Sequence, residues 1–291
     1  MLRKQKETER EKALKLFGHG AARTAEGPIV RARTAFNLAW YELLCIFLIL
    51  AGESLLFAGQ PVAGLGEQVL NLVLIVVAIG VLNGKRVELL EALALVSLLR
   101  VVSLSFALIA PTTSYLLVAI YGVMYIPLIA VILRRKLSRD ELGLTGGPRL
   151  LYLIPLGILI GVAIAFVEYQ ILANPALIPS YSVAGVIEFS ILMIVFVTFV
   201  EELIFRAILQ AELIKRSGPA LGILITSVIF GALHSGFTNY YELLFAFGVG
   251  LIFGIAFYKT KNLPFVVTMH AVNNIFLFGV LPFLPIIILR S

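Results

Sequence analysis

Long apolar runs separated by short charged segments make up the chain from residue 36 onwards. Because a helix needs about 20 apolar residues to cross a bilayer, these runs predict membrane-spanning helices. The second run is short enough for a re-entrant piece, and the last is expected to break near Gly279. The predicted fold is an all-α, polytopic integral membrane bundle with about eight or nine transmembrane helices. The nine runs are residues 36–57, 68–82, 87–110, 113–133, 150–173, 186–215, 219–235, 241–258 and 263–286.

Charge content and charge placement predict the membrane orientation. Charged residues make up 14% of the chain, against about 25% in soluble domains. Twenty of the 23 Lys and Arg residues lie before the first run or in loops that share one side if every run spans. The positive-inside rule then places the N-terminus in the cytoplasm. We expect a basic cytoplasmic tail at 1–35 and a single transmembrane bundle at 36–291, in a prokaryotic plasma membrane or the endoplasmic reticulum membrane. The net charge of +6 is explained by topology, so no nucleic-acid partner is expected.

Three charged residues, Glu201, Glu202 and Arg206, interrupt the apolar run that begins at Val183. A charge at bilayer depth costs at least about 2.5–3.5 kcal/mol, so paired or catalytic use is the usual explanation. Glu202 and Arg206 are four residues apart on one helix face, which predicts that they neutralise each other. Glu201 lies on a different face and is left free for chemistry. The alternative is that all three form structural ion pairs between helices.

Two of the chain's three histidines, His234 and His270, also lie in apolar runs, and Asn274 follows His270 by one helical turn. Glu201 and His234 each lie about 25 Å along their helices from a predicted turn at Gly218, which puts them level with each other. His270 is expected to be shallower, about 12 Å into its helix, unless a tilt or a deep loop closes the gap.

The pattern favours hydrolysis by an activated water molecule. No His is followed by Glu, as the His-Glu-x-x-His zinc motif requires, and a single Asp rules out an aspartyl dyad. Glu201 could be the general base, with His234 orienting the water and protonating the leaving amine. His270 and Asn274 could donate hydrogen bonds to the developing oxyanion. A metal site built from Glu201, His234 and His270 is an alternative.

Three motifs on three apolar runs resemble the CAAX protease and bacteriocin-processing family, which includes the Ras-converting-type CAAX prenyl endopeptidases. The motifs are Glu201-Glu202-x-x-x-Arg206, Phe230-x-x-x-His234 and His270-x-x-x-Asn274, in that order. The resemblance covers roughly residues 183–279, which would be the catalytic core. It implies a glutamate intramembrane endopeptidase that uses no metal and no other cofactor.

The resemblance also implies a role for each motif residue. Glu201 would activate the water together with His234. His270 and Asn274 would form the oxyanion hole. The supporting residues would be Glu202, Arg206 and Phe230.

The implied partners are a peptide or prenylated protein substrate and membrane lipid. In the prenyl-protein branch of the family, the enzyme removes a C-terminal tripeptide after a lipidated cysteine, from the cytosolic side. Two other functions stay open. The chain could be a non-catalytic membrane member of the family with an immunity or scaffold role, or a proton-coupled transporter that uses Glu201 and the histidines as a relay.

Charged residues elsewhere in the apolar runs carry separate expectations. Arg100 is expected to pair with a buried acid such as Glu53, or alternatively to reach an acidic group near the site. Glu168 and Glu188 are expected to be solvated at the outer ends of their helices.

Overall fold

The computed structural model describes residues 38–82, 87–109 and 114–285, and within them the chain is helical with no strand. The predicted basic tail at 1–35 lies outside the described residues. Five long helices come first: α1 (Trp40–Phe57), α2 (Pro61–Leu82), α3 (Glu88–Ile109), α4 (Ser114–Arg135) and α5 (Leu150–Leu172). The prediction of an all-α polytopic membrane bundle is confirmed.

The second half of the bundle contains one long, irregular helical run followed by two regular helices. The run consists of α6 (Val183–Leu192), a π-helical segment (Met193–Thr198), α7 (Phe199–Glu202), a second π-helical segment (Leu203–Gln210) and α8 (Ala211–Ala232). The chain continues through a short 3-10 turn (Ser235–Phe237) into α9 (Tyr240–Thr260), α10 (Leu263–Gly279) and a final 3-10 turn (Leu281–Phe283). The predicted break near Gly279 is confirmed.

Eight helices of the described residues are long and apolar enough to cross a membrane, and one of them, Val183–Phe237, has 55 residues. At 1.5 Å per residue this run is about 80 Å long, more than twice the thickness of the hydrocarbon core. Its backbone is not helical at Gly218, where φ is 80° and ψ is 169°, a conformation open essentially to glycine alone. The predicted turn before Pro219 is therefore confirmed, and the run crosses twice.

The predicted start of the second helix was wrong. Helix α2 begins at Pro61, not at residue 68, and its 22 residues are enough to span. Residues 61–67 contain Pro61, two glycines and Glu67, which weakened the apolar pattern there. Two polar residues further along α2 are buried against α1. The Gln68 Nε2 group donates to the Ile49 carbonyl at 3.1 Å, and Asn71 Nδ2 donates to the Cys45 carbonyl at 3.2 Å.

Helix α5 packs closely on α10, the helix that carries His270. Gly157 and Gly161 lie on the contact face, a small-xxx-small spacing that lets helix backbones approach in a membrane. A Cβ atom on Gly161 would lie 2.5 Å from the Met269 carbonyl oxygen. The position of His270 therefore depends on a contact that tolerates no added methyl group.

We predict that Gly161→Ala lowers stability by about 1–3 kcal/mol, because the added methyl group overpacks the α5–α10 contact. Gly248→Ala is the matched control, since Gly248 lies inside α9 and a Cβ atom there meets nothing within 4 Å. This control should be neutral or up to about 1 kcal/mol more stable, because Ala favours helix. Thermal unfolding of both variants in one detergent measures the difference, and equal midpoints would contradict the packing argument.

Candidate active site

Glu201 lies in a single α-helical turn between two π-helical segments. The register change is visible at Phe199, whose backbone N–H donates to the Ile194 carbonyl five residues earlier. The Tyr125 hydroxyl from α4 donates to the carbonyl oxygen of Val195 within the first segment. π-helical turns are rare and occur frequently at functional sites. The sequence predicted an unbroken helix here, because an apolar run shows no trace of an i→i+5 register.

Glu202 is fully buried and binds two partners with its two carboxylate oxygens. Its Oε2 accepts from Arg206 Nε at 3.0 Å, so the predicted ion pair is present. Its Oε1 accepts from His270 Nδ1 at 2.7 Å, a contact that the spacing did not indicate. Arg206 is fully buried as well, donates from Nη1 to the Gly250 carbonyl at 3.2 Å, and stacks 5.0 Å from the ring centre of Phe230.

His270 lies between the two glutamates. Because a carboxylate only accepts hydrogen bonds, Nδ1 of His270 is the donor to Glu202. The opposite ring nitrogen, Nε2, lies 3.6 Å from Glu201 Oε2, an ion-pair contact that is too long for a hydrogen bond. His270 is thus level with Glu201, and the predicted difference in depth is closed. The start of α10 is held by Asn262, whose Nδ2 donates to the Thr145 carbonyl at 3.0 Å.

The sequence suggested that Glu201 has no partner, but the structure gives it one. The hydroxyl group of Tyr121, from α4, donates to its Oε1. Its side chain is 17% exposed, whereas that of Glu202 is 0% exposed. Sequence reasoning missed Tyr121, since a tyrosine in an apolar helix gives no signal of its own. The two neighbouring glutamates therefore differ in environment: Glu202 is enclosed, and Glu201 faces open space.

His234 follows the C-terminal end of α8, and its ring orientation is set by the backbone. The Nδ1 atom lies 3.1 Å from the Phe230 carbonyl oxygen. Because a carbonyl oxygen only accepts, Nδ1 carries the proton and the neutral ring keeps a lone pair on Nε2. Phe230 also packs against His234 and His270, with ring centres 5.2 and 5.8 Å away. Phe230 therefore contacts both imidazoles.

A cavity of about 420 Å³ joins these groups, within the size range of small-molecule sites. Five of the seven predicted site residues line it, namely Glu201, Phe230, His234, His270 and Asn274. Glu202 and Arg206 lie behind the wall, fully buried. Apart from a few further polar groups, the remaining lining is apolar. A substrate segment in this cavity would be in contact with both imidazoles and with the Glu201 carboxyl group.

Glu168 is a correction to the sequence-based expectation. It was expected to be solvated, but it is only 5% exposed and lines the cavity. Its Oε2 accepts a hydrogen bond from Asn273 Nδ2 at 2.7 Å. The close packing of α5 against α10 buries this carboxyl group, although it lies near the end of its helix. Glu188 is exposed, as expected.

The expected pairing of Arg100 is confirmed. Its Nε and Nη2 groups donate to the two carboxylate oxygens of Glu53 at 2.7 and 2.6 Å. Arg100 also lines the cavity, although its ion pair is with Glu53 and not with an acid of the site. Helix α3 thus contributes to a site whose motif residues all come from the second half of the chain.

Among the described residues, no three His, Cys, Asp or Glu side chains are grouped as metal ligands. One ring nitrogen of His270 is already bonded to Glu202, and one of His234 to a backbone carbonyl.

Residues 183–276 match the family model described as type II CAAX prenyl endopeptidase Rce1-like. This segment is therefore an Rce1-like domain, which confirms the family that the three motifs indicated. It contains all seven predicted site residues, whereas helices α1 to α5 lie outside the match. Comparisons with curated proteins and with solved structures returned no match.

We predict that Arg206→Met lowers the free energy of unfolding by about 3–5 kcal/mol, because it leaves the Glu202 charge buried without its cation. The double variant Glu202→Gln/Arg206→Met should recover most of that loss, since the amide oxygen still accepts from His270. Arg139→Met, at an exposed loop position, is the control. Denaturant or thermal unfolding in detergent tests this, and a double variant no more stable than Arg206→Met would contradict it.

Proposed function

We propose that this chain, a multi-pass integral membrane protein with an Rce1-like domain at residues 183–276, is a glutamate-type intramembrane endopeptidase. Its substrate would be a prenylated protein, cut at a peptide bond near the C-terminus. One observation carries the proposal: the His270 ring lies between two glutamates. Its Nδ1 is hydrogen-bonded to the buried Glu202, and its Nε2 faces Glu201, which lines the cavity. Residues 183–279 would form the catalytic core.

Charge balance supports an assignment of protonation states. Glu201 and Glu202 carry two negative charges, and Arg206 carries one positive charge. Buried charges are stable only when they are paired, so a protonated His270 would bring the cluster to zero net charge. Both ring nitrogens of His270 then carry a proton: Nδ1 donates to Glu202, and Nε2 faces Glu201 Oε2 at 3.6 Å as an ion-pair contact.

The proposed reaction begins with a water molecule held between Glu201 and the lone pair on His234 Nε2. Glu201 accepts a proton from this water as its oxygen attacks the scissile carbonyl carbon. The carbonyl electrons move onto oxygen, and Glu201 loses its negative charge in the same step. The positive charge of His270 is thereby released to stabilise the oxyanion, with the Asn274 amide as the second donor.

The second step is the collapse of the tetrahedral intermediate. The carbonyl bond re-forms and the carbon–nitrogen bond breaks. His234 Nε2 carries the proton from Glu201 to the leaving nitrogen, so that the amine product departs neutral. The hydroxyl group of the water remains on the new C-terminal carboxyl group. Tyr121 would hold Glu201 in place through both steps.

The proposed topology places the N-terminus and the charged loops in the cytoplasm, so a cytosolic C-terminus would enter the cavity from that side. The membrane would be a prokaryotic plasma membrane or the endoplasmic reticulum membrane.

We predict that Glu201→Ala and His234→Ala each abolish cleavage while the protein still inserts and folds. Purified protein is incubated with a farnesylated or geranylgeranylated CAAX peptide, with and without a chelator, and products are identified by mass spectrometry. Glu188→Gln is the control, because Glu188 lies on α6 outside the cavity. Cleavage by Glu201→Ala would contradict the proposal, and loss of wild-type cleavage in chelator would favour the metal alternative.

We predict that Asn274→Ala lowers kcat by a factor of about 10²–10³ with little change in KM, because its amide donates to a charge that exists only in the transition state. Steady-state kinetics on the same peptide measure both constants. A wild-type kcat in this variant would refute the oxyanion role.

A further inference from the structure

Arg100 is a charged residue of the cavity that the proposed reaction does not use. Among the described residues lining the cavity, it is the one Lys or Arg. It comes from α3, outside the Rce1-like domain, and its side chain is 11% exposed. A cation at the wall of a mainly apolar cavity suggests that the cavity receives an anion.

The orientation of the Arg100 guanidinium is set by the Glu53 carboxylate. Glu53 is 2% exposed and accepts four hydrogen bonds: two from Arg100, one from Gln68 Nε2 at 3.1 Å and one from Ser235 Oγ at 2.6 Å. The Arg100 donors to Glu53 are Nε and Nη2. Its Nη1 group makes no hydrogen bond within the described part of the chain, so this edge is available to a ligand.

The Glu53–Arg100 pair has no net charge, but its two charges are separated and only the Arg100 side chain lines the cavity. Besides Arg100, the Glu53 carboxylate accepts from Gln68 on α2 and from Ser235 in the turn after His234. Arg100 lines the same cavity as Glu201, Tyr121 and His234, which places it near the reacting groups. A planar guanidinium edge is the donor that carboxylates prefer, because its hydrogen bonds match both oxygens.

The chemistry of the proposed substrate supplies such a carboxylate. A bond cut near the C-terminus leaves a short fragment that ends in a free carboxylate, and three extended residues reach at most about 11 Å. The carboxylate must therefore enter the cavity together with the scissile bond. In an apolar site it needs a counter-charge to replace its water.

We propose that Arg100, oriented by Glu53, binds the C-terminal carboxylate of the substrate and thereby restricts cleavage to bonds close to a free C-terminus. Arg100 would be a specificity-determining residue. The inference rests on the proposed function for its substrate class, but carboxylate binding can be measured without turnover.

The test measures binding in a Glu201→Gln background. A farnesylated peptide with an N-terminal fluorophore is prepared as the free acid and as the C-terminal amide, which has the same shape without the charge. We expect the acid to bind about 10- to 100-fold more tightly, as one charge-assisted contact supplies. Adding Glu53→Gln/Arg100→Gln, which removes both charges together, should bring the ratio of the two Kd values close to one.

A second buried pair serves as the matched control. Arg135 and Glu212 form an ion pair that does not line the cavity, with side chains 7% and 4% exposed. Arg135→Gln/Glu212→Gln should keep the acid preference. Should the Glu53 double variant fail to fold, Arg100→Lys should fold and give an intermediate ratio, because it keeps the charge and loses the fork geometry.

Equal affinity for acid and amide in the Glu201→Gln protein would overturn the assignment, as would an acid preference that survives removal of Arg100. Absence of binding by the acid peptide would overturn it as well. The wild-type cleavage assay separates this failure from failure of the proposed function. Cleavage without acid preference contradicts only the role of Arg100, and acid preference without cleavage contradicts only the protease.

Discussion

The carboxylate of Glu202 holds the site together, because one of its oxygens accepts from Arg206 and the other from His270. Burying the Glu202 charge or the Arg206 charge without its partner would cost several kcal/mol of desolvation free energy. Each charge is therefore stable here only because the other is present. Arg206 extends the connection to the Gly250 carbonyl on α9. Glu202 and Arg206 together thus link their own helical run to α9 and α10, and Glu202 turns the free nitrogen of His270 towards Glu201.

The first half of the bundle repeats this arrangement with different residues. Glu53 on α1 accepts from Arg100 on α3, from α2 and from Ser235, the residue after His234. Glu202 and Glu53 are therefore each paired with an arginine and given further donors that orient them. The difference lies in exposure: the Arg206 guanidinium is enclosed by aromatic rings, while that of Arg100 reaches the cavity. The enclosed pair is suited to positioning, and the exposed one to binding.

Local spacing made part of this predictable. The four-residue separation of Glu202 and Arg206 and the Gly218–Pro219 turn depend on neighbours along the chain, and both were predicted correctly. Contacts between helices depend on rotation and depth, which apolar runs leave undefined. For that reason the sequence did not indicate that His270 binds Glu202 or that Tyr121 binds Glu201. It also misplaced Glu168 in water, because the α5–α10 packing that buries it is a contact with a helix about 100 residues away in the chain.

The orientation of His270 by Glu202 is the central claim, and nitrogen-15 NMR of histidine-labelled protein in bilayers tests it most directly. The chain has three histidines, so replacement of His19 and His234 assigns the signals. The account predicts a protonated Nδ1 in His270, with a strongly hydrogen-bonded proton whose resonance shifts when Glu202 is changed to Gln. An unprotonated Nδ1, or a His270 spectrum unchanged by Glu202→Gln, would contradict it.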